Sequence, residues 1–259
     1  MQGHLNYLTA SIFFIVCTSL TGFGQIENSK AIGQVIYHQQ ADLLEGKNTN
    51  GISYLFFNTS ASLYVQTGAP ESALITQNLE DFSYNSGDKL DFSIYKDHRA
   101  RKIWFSTFCY KRELGSHCVV EDTLGATEWL IDHSAHKRFG TYQCLKATGH
   151  FRGRDYEVWF TPDIPISSGP FKLGGLPGLI LEGRSTDGLV QFIFQRLELS
   201  PDLPRKIQKP EGFYTGLSYE ENKKAFVDNV KKIAEELNAE GGAQITVGEM
   251  PANAWIEVW

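Results

Sequence analysis

Apolar and polar side chains alternate along much of this sequence, and this period of two limits the fold more than any other feature. In segment 89–95, Leu90, Phe92 and Ile94 fall on one face of an extended chain, and segment 155–161 follows the same pattern. Short turns separate such segments. They favour antiparallel strands, because parallel strands need crossovers of a dozen or more residues. An aromatic content of 13% also suits strands. The pattern therefore predicts a mainly β chain with antiparallel pairing.

One helix is predicted near the C-terminal end. Ser218 and Glu221 have the spacing of a capping box, and Gly241-Gly242 provides a stop signal. Between them, apolar residues recur at helical spacing, namely Phe226, Val230, Ile233 and Leu237. This stripe is interpreted as packing on the sheet, with a partner-binding helix as the alternative. The predicted fold class is mainly β (α+β): a curved antiparallel sheet or half-open barrel with one C-terminal helix packed on it.

Residues 1–24 have the features of a cleavable secretory signal. An uncharged, largely apolar run extends over residues 8–23, and Gly22 and Gly24 place small residues at the −3 and −1 positions of a cut after Gly24. A membrane span takes about 20 apolar residues, and the run over residues 8–23 is shorter than that. A retained membrane anchor is therefore the weaker interpretation. We expect a signal peptide over 1–24 and a single β-rich domain over 25–259, with no transmembrane helix after cleavage. The expected location is periplasmic, outer-membrane-associated or secreted.

Three cysteines remain after the expected cleavage: Cys109, Cys118 and Cys144. Cys109 and Cys118 flank segment 111–116, which has the composition of a hairpin turn. A cross-strand disulfide between them is sterically reasonable, although spacing alone does not set the Cβ geometry. Three reduced thiols are the alternative. Cys144 lies in an alternating strand pattern and is interpreted as a small buried hydrophobe.

The charge pattern suggests one anion-binding region. The net charge of −6 disfavours nucleic acid as a partner, because nucleic-acid-binding domains are generally basic. Against this acidic background, residues 133–154 contain five basic side chains and no acidic one. Lys146, Arg152 and Arg154 are the candidates for a patch that binds a carboxylate, a phosphate or a lipid headgroup. The alternative is that strand alternation scatters these cations over two faces.

A metal site is the other candidate. His133 and His136 have the spacing HxxH, and neutral imidazoles are good ligands for zinc or copper. The two histidines lie in an irregular segment rather than on a predicted helix, so solvated turn histidines are the alternative. No cofactor is expected apart from this metal.

Residues 144–180 contain several short motifs in a distinctive order. They are Cys144-x-Lys146-Ala147, Phe151-Arg152-Gly153-Arg154, Trp159-Phe160-Thr161, Ile164-Pro165-Ile166, Gly169-Pro170 and Gly175-Leu176-Pro177-Gly178-Leu179-Ile180. In this order they resemble the GLPGLI family, exported proteins of Gram-negative bacteria, over about residues 129–199. The resemblance implies export and an unknown activity, and it supplies no catalytic residues. The prolines and glycines of 164–182 are interpreted as a turn-rich structural segment.

Three classes of function fit these observations. The first is a non-enzymatic binding or accessory protein of the cell envelope that takes an apolar or anionic ligand or a partner protein. The second is an envelope hydrolase or a metal-dependent enzyme that uses the His133 and His136 region. The third is a structural component of a surface assembly. The expected partners are a lipid, a peptide or an envelope protein.

Overall fold

The computed structural model describes residues 29–44, 47–66, 92–108, 117–124, 128–200, 203, 206–210 and 214–239. The described chain forms mostly strands, with one helix close to its end. In chain order the elements are β1 (Ser29–Lys30), β2 (Gly33–Leu44), β3 (Lys47–Phe57), β4 (Ala61–Gln66), β5 (Phe92–Asp97), β6 (Lys102–Phe108), β7 (His117–Thr123), β8 (Trp129–Phe139), β9 (Tyr142–Phe151), β10 (Arg154–Thr161), β11 (Leu179–Ser185), β12 (Val190–Leu199), β13 (Lys206–Ile207), β14 (Tyr214–Ser218) and α1 (Tyr219–Ala239).

Twelve of these strands form one wide sheet in the order β14-β7-β6-β5-β4-β3-β2-β12-β11-β10-β9-β8. The sheet is open, with β14 at one edge and β8 at the other, and β1 and β13 form a separate pair. The mainly β class with one C-terminal helix is confirmed. Adjacent strands of the sheet pair antiparallel except β14 and β7, which are parallel. The prediction of purely antiparallel pairing is wrong there, because β14 reaches β7 through a long connection rather than a hairpin.

Both faces of the central strands are buried. Along β3, Leu55 and Phe57 belong to the larger hydrophobic cluster, whereas Tyr54 and Phe56 belong to a second cluster on the opposite face. Successive side chains of a strand point to opposite faces, so alternate residues supply the two clusters. This double burial explains the aromatic content of the sequence.

The segment between β10 and β11, residues 162–178, covers the larger cluster, and we call it the strap. It has little regular structure, yet its apolar side chains are buried: Ile164, Ile166, Phe171, Leu173 and Leu176. Gly178 closes the strap against β10, since a Cβ atom there would lie 2.3 Å from the Thr161 carbonyl oxygen. Phe171 has a φ of 51°, a left-handed conformation that is rare for a bulky residue. The expected turn-rich segment is therefore also part of the core.

Helix α1 begins as predicted but packs less than predicted. The Glu221 amide donates to Ser218 Oγ at 3.2 Å, and Glu221 Oε2 accepts from the Ser218 amide at 2.9 Å, which completes the capping box. The helix contacts β7 and β14 at the edge of the sheet. Of the predicted stripe, Ile233 is 41% exposed and Leu237 is 44% exposed. The expectation that the whole stripe packs on the sheet is wrong for these two residues, because α1 meets the sheet at its edge and in this part of the helix it is Ala234 that is buried.

The described ranges contain no helix that is both long and apolar enough to cross a membrane.

Candidate functional site

A cleft of about 490 Å³ lies where the start of α1 meets the edge of the sheet. Its walls come from three places: the end of β7, the turn between β9 and β10, and the junction of β14 with α1. The lining residues are Glu121, Asp122, Thr123, Arg152, Gly216, Ser218, Tyr219 and Glu220. Seven strands separate β7 from β10 in the order of the sheet. The cleft therefore brings together parts of the sheet that are distant along its strand order.

Arg152 is the central cation of this cleft. It and Gly153 form the two-residue turn between β9 and β10, with φ values of 48° and 76°. Two left-handed residues define a type I′ turn, whose first position favours Asn, Asp or Gly over Arg. The Arg152 guanidinium pairs with the Asp122 carboxylate and lies over the Tyr219 ring, 4.1 Å from its centroid. One side chain thus connects the hairpin, β7 and α1.

The Tyr219 ring also interacts with the strap. Lys172 is 2% exposed, and its Nζ atom lies 5.0 Å from the centroid of Tyr219 and 3.8 Å from that of Phe105. Cation–π contacts are strongest where the cation is removed from water. Two cations therefore contact one ring, Arg152 from the cleft and Lys172 from the strap.

The acidic groups of the cleft are also held in place. Glu121 accepts from Lys102 and, at 2.9 Å, from Trp104 Nε1, and the hydrogen bond from Lys102 lowers the pKa of Glu121. The Asp122 carboxylate accepts from the Thr123 amide at 2.8 Å through one oxygen and from Arg152 through the other. With the exposed Glu220, the cleft presents hydrogen-bond donors and acceptors side by side.

The predicted basic patch is divided among separate ion pairs. Lys146 Nζ lies 2.5 Å from Glu157, Arg154 pairs with Asp187, and Arg152 pairs with Asp122. Their carboxylates come from β10, from the β11–β12 turn and from β7, all outside the acid-free segment. Arg154 is buried, so only Arg152 of the three predicted cations lines the cleft.

His133 and His136 lie on β8, and both are exposed. The register with β9 shifts between Asp132 and His136, so the segment between them bulges out of the ladder. Within the described residues, no three His, Cys, Asp or Glu side chains are grouped so that they could hold a metal ion. The metal hypothesis stays a prediction, with no third ligand identified in this part of the chain.

The described cysteines differ in state. Cys118 is disulfide-bonded, whereas Cys144 is a buried free thiol whose pKa is raised to about 12, mainly by burial. A thiol with this pKa is protonated at neutral pH and is a poor nucleophile, which agrees with its interpretation as a small hydrophobe. Cys109 lies outside the described residues, so the pairing of Cys109 with Cys118 stays a prediction.

A buried lysine of β5 binds the strap, and the sequence analysis did not identify it. Lys96 of β5 is almost fully buried, and its Nζ atom donates to the carbonyl oxygens of Gly169 and Leu173, both at 2.7 Å. Burial lowers the pKa of Lys96 well below its ordinary value. A sequence signal existed, because Lys96 continues the apolar face formed by Phe92 and Ile94.

A hydroxyl and imidazole network lies beside this lysine. Ser62 Oγ is 2.8 Å from Ser168 Oγ of the strap and 3.1 Å from His98 Nε2. Burial, with the nearby Lys96 charge, lowers the pKa of His98 to about 4, so its imidazole is neutral at neutral pH. Both serines are fully buried, and the contacts join the strap to β4. We assign this network to strap attachment.

Comparison with known proteins finds a local family match and a shared fold but no activity. A family described as "Protein of unknown function (Porph_ging)" matches residues 150–182, which span the β9–β10 turn, β10, the strap and the start of β11. No curated protein matches the chain. The matched stretch supplies Arg152 of the cleft and Lys172 of the strap.

The solved structures that are similar to this chain include two of PNGF-II. One, described as "Structure of PNGF-II in P21 space group", has a TM-score of 0.50 at 15% identity and covers 77% of this chain. The other, "Structure of PNGF-II in C2 space group", has a TM-score of 0.47 at 15% identity and covers 76%. This chain spans only 34% and 33% of the length of those chains. At this identity the likeness to the first structure is one of fold alone.

Proposed function

We propose that this protein is an exported accessory protein of the cell envelope that binds a polar peptide segment of a partner in the cleft beside α1. The observation that carries the proposal is the arrangement of Arg152, Asp122 and Tyr219. A cation in a strained turn is oriented by a carboxylate and an aromatic ring at the wall of a cavity. Strained backbone and preoriented charged groups are features of binding sites.

The walls of the cleft favour a peptide over a lipid. The Arg152 guanidinium donates, the Glu220 carboxylate accepts, and the Thr123 hydroxyl can do both. A peptide backbone offers both donors and acceptors, whereas an acyl chain offers neither. The face of the sheet that carries the larger cluster is covered by the strap, whose apolar side chains take the place that a lipid would fill there.

We also propose that the sheet curves into a half-open barrel around the strap. The strap contacts β5 through Lys96, β6 through Phe105 and β8 through the indole of Trp129, which donates to the Gly174 carbonyl oxygen at 2.8 Å. β6 and β8 are far apart in the strand order, so a flat sheet would hold them too far apart for one short segment to touch both. This curvature brings the β9–β10 turn to β7 and forms the cleft.

Site-specific photocrosslinking in the native host tests the peptide proposal. A crosslinking amino acid replaces Glu220 at the cleft, and a control replaces Thr186, which is exposed in the turn between β11 and β12. We expect a discrete product from the cleft position whose mass spectrum contains a partner peptide, and we expect Arg152→Ala to abolish it. Equal products from both positions, a product unchanged by Arg152→Ala, or a product with lipid alone would contradict the proposal. Circular dichroism confirms that the variants are folded.

Export is tested separately. The Gly22-Phe23-Gly24 site and the resemblance to the GLPGLI family support export and cleavage. Mass spectrometry of the protein from its native host is expected to find a mature N-terminus at Gln25 in the envelope or the medium. A cytosolic protein that retains residues 1–24 would overturn the export proposal and leave the cleft to be judged by crosslinking.

A further inference from the structure

The strap carries a buried lysine close to the cleft, and its burial is costly. Lys172 is 2% exposed, and its neighbours in the strap, Phe171 and Leu173, belong to the larger hydrophobic cluster. Removing an ammonium group from water costs free energy. Replacing a buried charged group by a well-packed apolar side chain of similar volume is often neutral or stabilising. A lysine at this place is therefore better explained by what its charge holds than by a contribution to stability.

Three aromatic rings contact the Lys172 ammonium, and each comes from a different element. The Nζ atom lies 3.8 Å from the centroid of Phe105 on β6, 5.0 Å from that of Tyr219 on α1 and 5.7 Å from that of Phe171 on the strap. All three aromatic residues are buried. Cation–π attraction is strongest where the cation is removed from water, so this lysine connects the sheet, the start of the helix and the strap.

The Tyr219 ring connects this lysine to the cleft. The Arg152 guanidinium lies 4.1 Å from the centroid of the same ring and pairs with the Asp122 carboxylate. An arginine side chain loses much rotamer freedom when it is held in one position, so its partners must themselves be fixed. A Tyr219 ring that Lys172 holds in place is such a partner. Both cations lie in the stretch 150–182 that matches the family model.

We propose that Lys172 is a positioning residue for the cleft: its buried ammonium fixes the Tyr219 ring, and the ring holds the Arg152 guanidinium at the cleft wall. This inference rests on the proposed peptide-binding function, and it adds a residue that does not itself line the cleft. The strap and the cleft are then coupled through packed side chains, and loss of the charge on the strap weakens peptide binding through Arg152.

Nuclear magnetic resonance of the full protein tests the positioning without any partner. A proton over an aromatic ring resonates upfield, so the Arg152 Hε signal reports how closely the guanidinium stays over Tyr219. Arg152→Ala identifies this signal by removing it. Lys172→Met replaces the ammonium by an uncharged side chain of similar length, and we expect the Arg152 Hε signal to move downfield, toward the position of a free arginine. An unchanged signal would overturn the proposal.

The control is Leu173→Ala, which disturbs the packing of the strap next to Lys172 but leaves the ammonium in place. We expect the Arg152 Hε signal of this variant to stay close to its wild-type position. An equal shift in the two variants would overturn the proposal, because it would show that Arg152 responds to any loosening of the strap. Circular dichroism confirms that both variants are folded under the conditions of the measurement.

Photocrosslinking from the Glu220 position tests the consequence for binding. We expect Lys172→Met to lower the yield of the discrete product by roughly fivefold, the effect of losing one cation–π contact. A yield equal to that of the wild type would overturn the proposal. A wild-type protein that gives no discrete product would instead contradict the peptide-binding function, and the Arg152 Hε signal would still decide whether Lys172 positions Arg152.

Discussion

The strap and α1 both carry several apolar side chains, but they bury these side chains to different extents. The strap is irregular and rich in proline and glycine, yet Phe171 and Leu173 lie in the larger cluster. The helix has the regular amphipathic spacing expected of a core element, yet Ile233 and Leu237 are exposed. Burial therefore follows position relative to the sheet rather than regularity of structure, since the strap crosses the face of the sheet and α1 extends from its edge.

The largest expected effect contrasts one leucine from each region. Leu173→Ala removes a fully buried side chain and leaves a cavity, so we expect the free energy of unfolding to fall by about 3 kcal/mol. Leu237→Ala is expected to change it by less than about 0.5 kcal/mol, because the side chain is already substantially exposed. Urea denaturation at neutral pH measures both. Equal losses of unfolding free energy for the two substitutions would contradict the difference in burial between the strap and α1.

The attachment of the strap to β4 predicts an acid-sensitive stability. His98 has a folded-state pKa of about 4, below its ordinary value of about 6.5. The unfolded chain therefore binds more protons between these values, and stability present above pH 6.5 is lost as the pH falls toward 4. Over this range the free energy of unfolding is expected to fall by about 3 kcal/mol because of His98 alone.

Denaturation at a series of pH values from 7 to 4 measures this loss. His98→Gln removes the titrating group, so its stability is expected to fall less steeply than that of the wild type over the same range. Parallel curves for the two proteins would show that protonation of His98 does not destabilise the strap region.

The contact of the hairpin with α1 is expected to contribute less. Arg152→Ala removes the partner of the largely buried Asp122 and the cation over Tyr219, and we expect a loss of about 2 kcal/mol. The double variant with Asp122→Asn is expected to lose less than the sum of the single variants, because the two groups interact directly. Arg184→Ala, which breaks an exposed pair with Glu157, is the control and is expected to cost less than about 1 kcal/mol. Strict additivity of the first two substitutions would show that the pair contributes nothing.

The smallest expected effect is confined to α1. Ser218→Ala removes the N-cap and is expected to cost the helix about 1 kcal/mol. Hydrogen exchange is expected to speed up along the later turns of α1 and much less in the strap, which contacts the helix through Tyr219 in its first turn. An equal increase in both regions would show that the helix and the strap unfold together.

Part of the fold could be predicted from local pattern. The alternation in β5 and β10 and the capping box of α1 are each encoded within a few residues, and the structure contains both features. The parallel pairing of β14 with β7 could not be predicted, because it joins segments that are distant in sequence. No local pattern records which distant strand a segment will meet.

The candidate site shows the same limit. The sequence predicts Arg152 as a ligand-binding cation with Lys146 and Arg154 beside it, but these two pair with carboxylates elsewhere. Cations of the acid-free segment pair with carboxylates from other parts of the chain, and only the folded chain brings those carboxylates near. Lys96 was detectable in principle, since a lysine on an apolar face marks a buried charge. Its acceptors, the Gly169 and Leu173 carbonyl oxygens, lie more than seventy residues away along the chain.

The sequence by itself determined the strand period, the turn chemistry and the helix cap, because these depend on interactions between near neighbours. The tertiary structure alone decided that the strap covers the larger cluster, that Ile233 and Leu237 of the amphipathic helix remain exposed, and that Arg152 meets Asp122 and Tyr219. Those outcomes depend on which distant surfaces come together, and burial and ion pairing have no fixed spacing along a chain.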